Sequence, residues 1–483
     1  MPSVKKNFSY NLVLTLCSYI FPLITYPYVS RVLGVQNIGV CNFVDSIINY
    51  FVLFSMLGVG SYGVREIARV NQDEPRRNYV FSNLFTINLL TTVFAVIVLL
   101  ICTFMVPKFF EYRSFLLVGV AKLFFNLFLI EWFFQGIQDF KYITIRSLII
   151  RVVYVFMVFI WVRNEQDAIK YFTLTVLTTV VNAVINWFYA RKYIKYNIKL
   201  LNLRLFIIPV LSFGYYRILT SMYTTFNTIF LGFSSGDIEV GYFTTATKLY
   251  TIIMGVITAF TTVMVPRVAE LLHEKKIEQL QNIANLTLSL ITTVSVPIIL
   301  YSLFCANDII LLIAGPGYEG SVLPFQIVIF LLLVIGVEQV LIQQFLMASI
   351  NNKPILVVST IGATAGVVLN IIITPQMGSV GSSIAWGLSE LCVLLAGIYY
   401  VKRVINISIP FYNLIKILLW ASIYIIPLYF IHIQNMPMWQ NLIVSAISVF
   451  VVFVLINFLF CKNDLIVETF KNNMKKLRKR NVC

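Results

Sequence analysis

YNLVLTLCSYIFPLITYPYVSRVLG, residues Tyr10 to Gly34, carries one charge, Arg31, in its whole length. A helix needs about 20 apolar residues to cross a hydrocarbon core roughly 30 Å thick. The stretch is longer than the roughly 7–15 apolar residues of a signal peptide, and no small-x-small cleavage site follows it. It therefore reads as a retained first span. Pro22 and Pro27 do not argue against this, because neighbouring helices in a bilayer re-satisfy the backbone groups that proline frees.

The rest of the chain repeats the pattern. Of 483 residues, 59% are hydrophobic and 12% charged, where soluble domains average about 45–50% and 25%. A soluble globule of this balance would expose large apolar patches. We read about fourteen spans, at 10–33, 38–64, 79–105, 114–135, 142–162, 169–190, 206–233, 238–265, 280–305, 322–346, 355–374, 380–401, 411–431 and 439–461. The expected fold is an all-α polytopic membrane protein. Seven cysteines show no C-x-x-C spacing and His273 and His432 are far apart, so neither a metal site nor a bound cofactor is expected. No G-x-x-x-x-G-K-[ST] loop is present, which excludes an ATP-binding domain in this chain. Transport would draw on a proton or sodium gradient, the substrate gradient or a partner.

Loop charge gives the orientation. With the N-terminus inside, inner segments hold 26 of the 36 basic residues and outer segments hold 5. Both termini are thus expected in the cytoplasm. The net charge of +16 is mostly a topology signal. A basic tail from Lys462 to Arg480 suits anionic lipid headgroups better than nucleic acid, and no nucleic-acid partner is expected.

An internal repeat divides the chain. Leu33-Gly34, Ile38, Val40, Phe43 and Tyr50 match Leu231-Gly232, Ile238, Val240, Phe243 and Tyr250, the last four pairs at an offset of 200. Parallel repeats related by an axis along the membrane normal recur in transporters. The expected division is a six-helix lobe at 1–202, a parallel six-helix lobe at 203–404, and two further helices with a basic cytoplasmic tail at 405–483.

An ionisable group within a span is a functional-site candidate by default. The candidates are Asp45, Lys122, Glu131, Arg151, Arg217, Lys248, Glu338 and Glu390; Lys416, near a span end, is explained by snorkelling. Lys122 and Glu131 lie nine residues apart, on opposite faces of one helix, so they are not partners. Arg217 and Lys248 fall near mid-depth on consecutive antiparallel spans, where two cations on one cavity wall would invite an anion. The competing reading pairs them with Glu338 or Glu390 as structural ties. Asp45, Glu131, Glu338 and Glu390 are the candidates for ion coupling.

The run Phe21-Pro22-Leu23-Ile24-Thr25-Tyr26-Pro27-Tyr28-Val29-Ser30-Arg31-Val32-Leu33-Gly34, then Ile38-Gly39, then Tyr62-Gly63-Val64-Arg65-Glu66-Ile67-Ala68, resembles the bacterial polysaccharide transporters. These are the Wzx-type flippases of O-antigen and capsule repeat units. The resemblance covers essentially the whole chain and is most specific in the opening helices. It implies a fold like the multidrug and toxin extrusion (MATE) transporters. The implied substrate is an oligosaccharide on undecaprenyl pyrophosphate, moved by alternating access from the cytoplasmic to the periplasmic leaflet of the inner membrane. It further implies a V-shaped cavity between lobes, lined by helices 1, 2, 7 and 8. Arg31, Arg217 and Lys248 stand on those helices, where a pyrophosphate or acidic sugar needs cations; Lys122 and Arg151 are the further cation candidates. A polysaccharide polymerase and a chain-length regulator are the implied partners. Two alternatives remain open: a drug or cation antiporter of the same fold, which wants acids in the cavity, and a membrane-embedded glycan ligase or transferase, which wants large outer loops. The residues favour a transporter over an enzyme.

Overall fold

The computed structural model describes residues 4–347, 353–405, 407–408, 411–434 and 436–456. The basic tail expected at Lys462–Arg480 lies outside them. The regular elements among these residues are all helical. In chain order they are α1 (Val4–Met56), α2 (Val59–Arg69), α3 (Glu74–Met105), α4 (Pro107–Glu111), α5 (Arg113–Leu129), α6 (Glu131–Gly136), α7 (Phe140–Trp161) and α8 (Ala168–Ala190). Then come α9 (Arg204–Thr224), α10 (Phe226–Ser235), α11 (Asp237–His273), α12 (Ile277–Phe304), α13 (Ala306–Ile313), α14 (Val322–Val328) and α15 (Leu331–Glu338). A π-helical turn, Gln339–Leu346, leads toward α16 (Lys353–Val404), and α17 (Phe411–Ile433) and α18 (Met438–Ile456) close the chain as described.

Eleven helices among the described residues are long and apolar enough to cross a membrane. This is a multi-pass membrane protein. Helices satisfy every backbone group internally, which a bilayer core demands. Two of the eleven, Val13–Met56 and Lys353–Val404, run 44 and 52 residues. Each carries two of the spans read from sequence and bends between them, α1 at Gly34 (φ 73°, ψ 168°) and α16 at Gly378 (φ 55°, ψ −130°). Large apolar side chains such as Phe94, Ile208, Phe156 and Leu419 are exposed, as lipid-facing residues are.

Some boundaries differ from the sequence reading. The span expected at 114–135 breaks after Leu129, because Ile130 adopts a left-handed conformation (φ 36°), and Glu131 opens a new helix. The span at 206–233 divides at Thr225. Arg146, within the span read at 142–162, lies inside α7 with its side chain only 4% exposed. Its charge is held there by Glu131 and Asn186.

In the first half α1 packs on α3, α5 and α7, and α5 packs on α8. In the second, α16 packs on α9, α10, α14 and α15, and α11 on α14. α17 lies on α12 and α18. The most extensive packing of all joins the halves, α1 against α11.

That junction corrects the register of the repeat. Gly236, which precedes α11, has φ 89° and ψ −177°, nearly the dihedrals of Gly34. A Cβ on Gly39 would stand 1.8 Å from the Asp237 carbonyl oxygen, and one on Gly241 would stand 2.3 Å from that of Val35. These contacts exchange under an offset of 202, which also relates Asn42 to Thr244; those two hydrogen-bond to each other at 3.1 Å. Ile38 and Val240 are both buried at this offset, whereas Ile238, the partner expected at 200, is 44% exposed. A pseudo-two-fold crossing of bare backbones sets the register, and side-chain identity in an apolar alphabet did not reveal it.

Candidate functional site

One face of α1 presents Ser18, Phe21, Pro22, Thr25 and Tyr26, spaced three and four apart, to a cavity of about 400 Å3. Helical periodicity puts such residues on one side. α8 supplies a matching stripe, Tyr171, Thr175, Thr178, Thr179 and Asn182, and α7 supplies Ser147, Arg151 and Tyr154. Lys248 of α11 enters from the other half, and Glu131 closes one end. The lining is thus hydroxyl-rich and aromatic with two cations.

Each ionisable group has a defined place. Arg151 Nη1 donates to Ser18 Oγ at 3.0 Å. The Lys248 ammonium sits over the Tyr26 ring, 4.2 Å from its centroid, a cation–π geometry. The Tyr26 hydroxyl meets Thr245 Oγ1 at 2.5 Å. Glu131 Oε1 accepts from Arg146 Nη2 at 2.7 Å, so the cavity's acid is already neutralised. Arg151 and Lys248 are in no ion pair among the described residues. A concave site of this size with a few convergent polar groups is where ligands bind, and this one has cations to spare.

The remaining candidates lie elsewhere. Lys122 Nζ meets Asp45 Oδ1 at 2.6 Å, and Asn49 Nδ2 donates to Asp45 Oδ2 at 2.9 Å. Arg217 is exposed on α9 and does not line the cavity; the cation brought to Lys248 is Arg151 of the first half. Glu338 and Glu390 pair with neither Arg217 nor Lys248. Glu390 Oε1 accepts from Trp386 Nε1 at 2.8 Å inside the second half.

Arg31 lies at the seam between the halves. Its guanidinium donates to the Pro27 carbonyl at 2.7 Å and to the carbonyls of Leu311, Leu312 and Ile313, at the C-terminal end of α13. A cation there meets the last carbonyls of the helix and the negative end of its dipole. Lys108 donates to the Gly232 carbonyl and Tyr112 to Asp237, tying the same rim. The halves also meet deeper, where a Cβ on Gly255 would stand 2.5 Å from the Tyr19 ring, and at the opposite end, where one on Gly58 would stand 2.2 Å from the Val210 carbonyl oxygen. The V-shaped opening expected between helices 1, 2, 7 and 8 is therefore closed. The polar cavity lies behind α1, among α5–α8.

Sequence reading passed over Arg146, Tyr26, Tyr154 and Tyr171. The tyrosines look like core aromatics in any apolar run. The α8 stripe of hydroxyl and amide residues at helical spacing was a usable signal.

Two halves joined at crossed helices, two bent helices and a charged cavity within the membrane-spanning part make up a fold that solved structures share. The lipid II flippase MurJ in its inward closed conformation matches at a TM-score of 0.77 and 15% identity, over 95% of this chain and 99% of that one. An inward-facing MATE family multidrug transporter of the MOP superfamily matches at 0.59 and 15%, over 80% and 94%.

The chain belongs to the polysaccharide biosynthesis protein family, whose sequence pattern spans residues 4–272. The MatE pattern matches residues 215–372. An Escherichia coli (strain K12) protein described as "Putative O-antigen transporter" is 25% identical over 338 residues, 68% of this chain and 79% of that protein. A Shigella dysenteriae protein of the same description is 24% identical over 273 residues, 56% and 68% of the two chains.

Proposed function

We propose that the protein is a flippase for an undecaprenyl-pyrophosphate-linked oligosaccharide, an O-antigen or capsule repeat unit, carried from the cytoplasmic to the periplasmic leaflet by alternating access. The observation that carries this reading is the cavity itself. Arg151 and Lys248 are cations in no ion pair among the described residues, as a pyrophosphate needs. Tyr26, Tyr154 and Tyr171 with the serines, threonines and Asn182 offer ring faces and hydrogen bonds to sugar. Drug–cation antiport fits less well, because the one cavity acid, Glu131, is occupied by Arg146. The closed seam corresponds to one end of the cycle, and opening it on either side gives access to either leaflet. The product would pass to a polymerase and chain-length regulator, and a proton or sodium gradient is the proposed drive. No cofactor is invoked.

The test is Arg151→Ala and Lys248→Ala in cells lacking the parent gene, with Arg217→Ala, outside the cavity, as comparator. Surface polysaccharide should fall in the first two, lipid-linked intermediates should accumulate, and protein abundance should stay near that of the parent. Normal export by both cavity variants overturns the reading.

A further inference from the structure

We propose that the end of the cavity closed by Glu131 selects the sugar joined to the pyrophosphate, taking a neutral sugar and refusing a uronic acid. The proposal rests on the flippase reading above and names the class of sugar that the same site takes.

The cavity is ordered along its helices. Lys248 stands over Tyr26, and Arg151 meets Ser18, about 12 Å back along α1 at 1.5 Å per residue. Ser147 lies one turn before Arg151 on α7, and its Oγ accepts from Arg146, the partner of Glu131. The α8 stripe runs the same way, from Tyr171 to Asn182, over about 16 Å. Asn186, one turn beyond Asn182, also holds Arg146. The cations thus occupy one end and the middle, and Glu131 the other end. At about 400 Å3 the cavity is small among ligand sites. It has room for the phosphate groups and the sugar attached to them, and the rest of an oligosaccharide stays outside.

The Glu131 end offers acceptors. A serine or threonine hydroxyl has one proton and two lone pairs. Thr175 gives its proton to the Phe172 carbonyl, Thr178 to the Thr175 carbonyl and Ser18 to the Leu14 carbonyl. What these hydroxyls keep for a ligand is lone pairs. Asn182 donates from Nδ2 to the Thr178 carbonyl at 2.6 Å, and its Oδ1 is buried with no hydrogen-bond partner. Pro22, also in the lining, leaves the Ser18 carbonyl without its usual helical donor. Glu131 adds a carboxylate whose Oε1 is taken by Arg146 and whose Oε2 has no hydrogen-bond partner among the described residues. The Glu131–Arg146 pair is neutral as a whole, but it is oriented. The guanidinium side chain is 4% exposed and the carboxylate 42%, so a ligand meets the oxygen and not the cation.

A neutral sugar answers these acceptors with O–H groups, each able to donate. The carboxylate of a uronic acid has no proton to give. It would leave the acceptors unpaired and set a negative charge against Glu131, while Arg151 and Lys248 are engaged by the phosphates. Polar groups left unpaired and charges left unmatched are what make a site discriminate.

The test uses the full chain in phosphatidylcholine nanodiscs, where no anionic headgroup competes, and ligand-observed NMR titration. The probes are glucose 1-phosphate against glucuronic acid 1-phosphate, galactose 1-phosphate against galacturonic acid 1-phosphate, and inorganic phosphate as reference. In the parent, one neutral probe should bind more tightly than phosphate. Its acidic counterpart should bind roughly tenfold more weakly or worse, as one unit charge a few ångströms away in a partly buried site dictates. Glu131→Gln keeps the shape and an acceptor oxygen, removes the charge and leaves Arg146 without its carboxylate. It should raise affinity for the acidic probe by more than it raises affinity for phosphate, and erase the preference. Arg146→Met plus Glu131→Gln removes both charges and should erase the preference too; it supplies the readout should Glu131→Gln not accumulate. A protein that is merely destabilised loses all probes together. The proposal is overturned by acidic probes that match neutral ones in the parent, by neutral probes that bind no better than phosphate, or by a preference that survives in both variants. Phosphate binding that disappears in Arg151→Ala and Lys248→Ala supports the flippase reading whatever the sugars do, whereas a parent that binds neither phosphate nor any probe overturns both.

Discussion

Alanine at Gly39 is the sharpest perturbation of the seam between the halves. Its Cβ would stand 1.8 Å from the Asp237 carbonyl oxygen and 2.7 Å from that carbonyl's carbon, inside the 3.0 Å that real Cβ contacts respect. The obstacle is backbone, so no side chain can swing away. α1 and α11 must part by more than an ångström or the closed seam must open. Overpacking of this kind costs about 1–3 kcal/mol, which is roughly 5- to 140-fold in the balance between closed and open seam at 1.4 kcal/mol per tenfold. Gly241→Ala should act in the same direction and less strongly, since its Cβ would stand 2.3 Å from the Val35 carbonyl oxygen. Gly60→Ala, where a Cβ would meet only Met56 Cε at 3.7 Å, is the control. Spin labels at Gln36 and Ile238, both exposed beside the crossing, read the separation. The distribution should shift to longer distances in Gly39→Ala, less in Gly241→Ala, and not in Gly60→Ala. Parental distances and parental export in Gly39→Ala would refute the argument that bare backbone contact holds the seam shut.

Two further outcomes are expected. Arg146→Ala strips Glu131 of its partner; breaking a buried pair costs about 3–5 kcal/mol, but Glu131 is 42% exposed, and screening by water reduces this to roughly 1–3 kcal/mol. Thermal unfolding in detergent should show the loss, with Arg146→Met plus Glu131→Gln recovering part; an unchanged midpoint for Arg146→Ala contradicts the structural role of the pair. Arg31→Ala should lengthen the Gln36–Ile238 label separation by removing the ties to Leu311, Leu312 and Ile313, and Arg31→Lys should restore only part, because one ammonium cannot reach carbonyls spread over a helix turn. No change in the label distances would place Arg31 outside the seam's energetics.

Much of the architecture was legible in local features. Runs such as 79–105, uncharged over their whole length, require a membrane helix whatever their neighbours do. Gly34 and Gly378 interrupt the two long helices where only a residue without Cβ adopts such dihedrals at no cost. The matching letters of the two helix pairs were visible, but not which residues meet where the helices cross. Matching apolar letters at an offset of 200 cannot compete with the Gly39/Gly241 and Asn42/Thr244 relations at 202, which mean something only once two helices cross.

The candidate charges divide the same way. That Asp45, Lys122, Glu131, Arg151, Lys248, Glu338 and Glu390 sit within apolar runs is a property of the sequence alone, and the cost of a charge in hydrocarbon makes each one significant. Their partners are a property of tertiary packing. Asp45 finds Lys122 across 77 positions, Glu131 finds Arg146 because α5 breaks at Ile130, and Lys248 comes to Tyr26 and the Arg151 cavity, away from Arg217. Helical periodicity determines which face of its own helix a residue occupies, but over such separations the chain leaves the distance free. Only the crossing of helices, set by glycine backbones and interlocked side chains, brings Asp45 to Lys122 in one place and leaves two cations without an ion pair among the described residues in another.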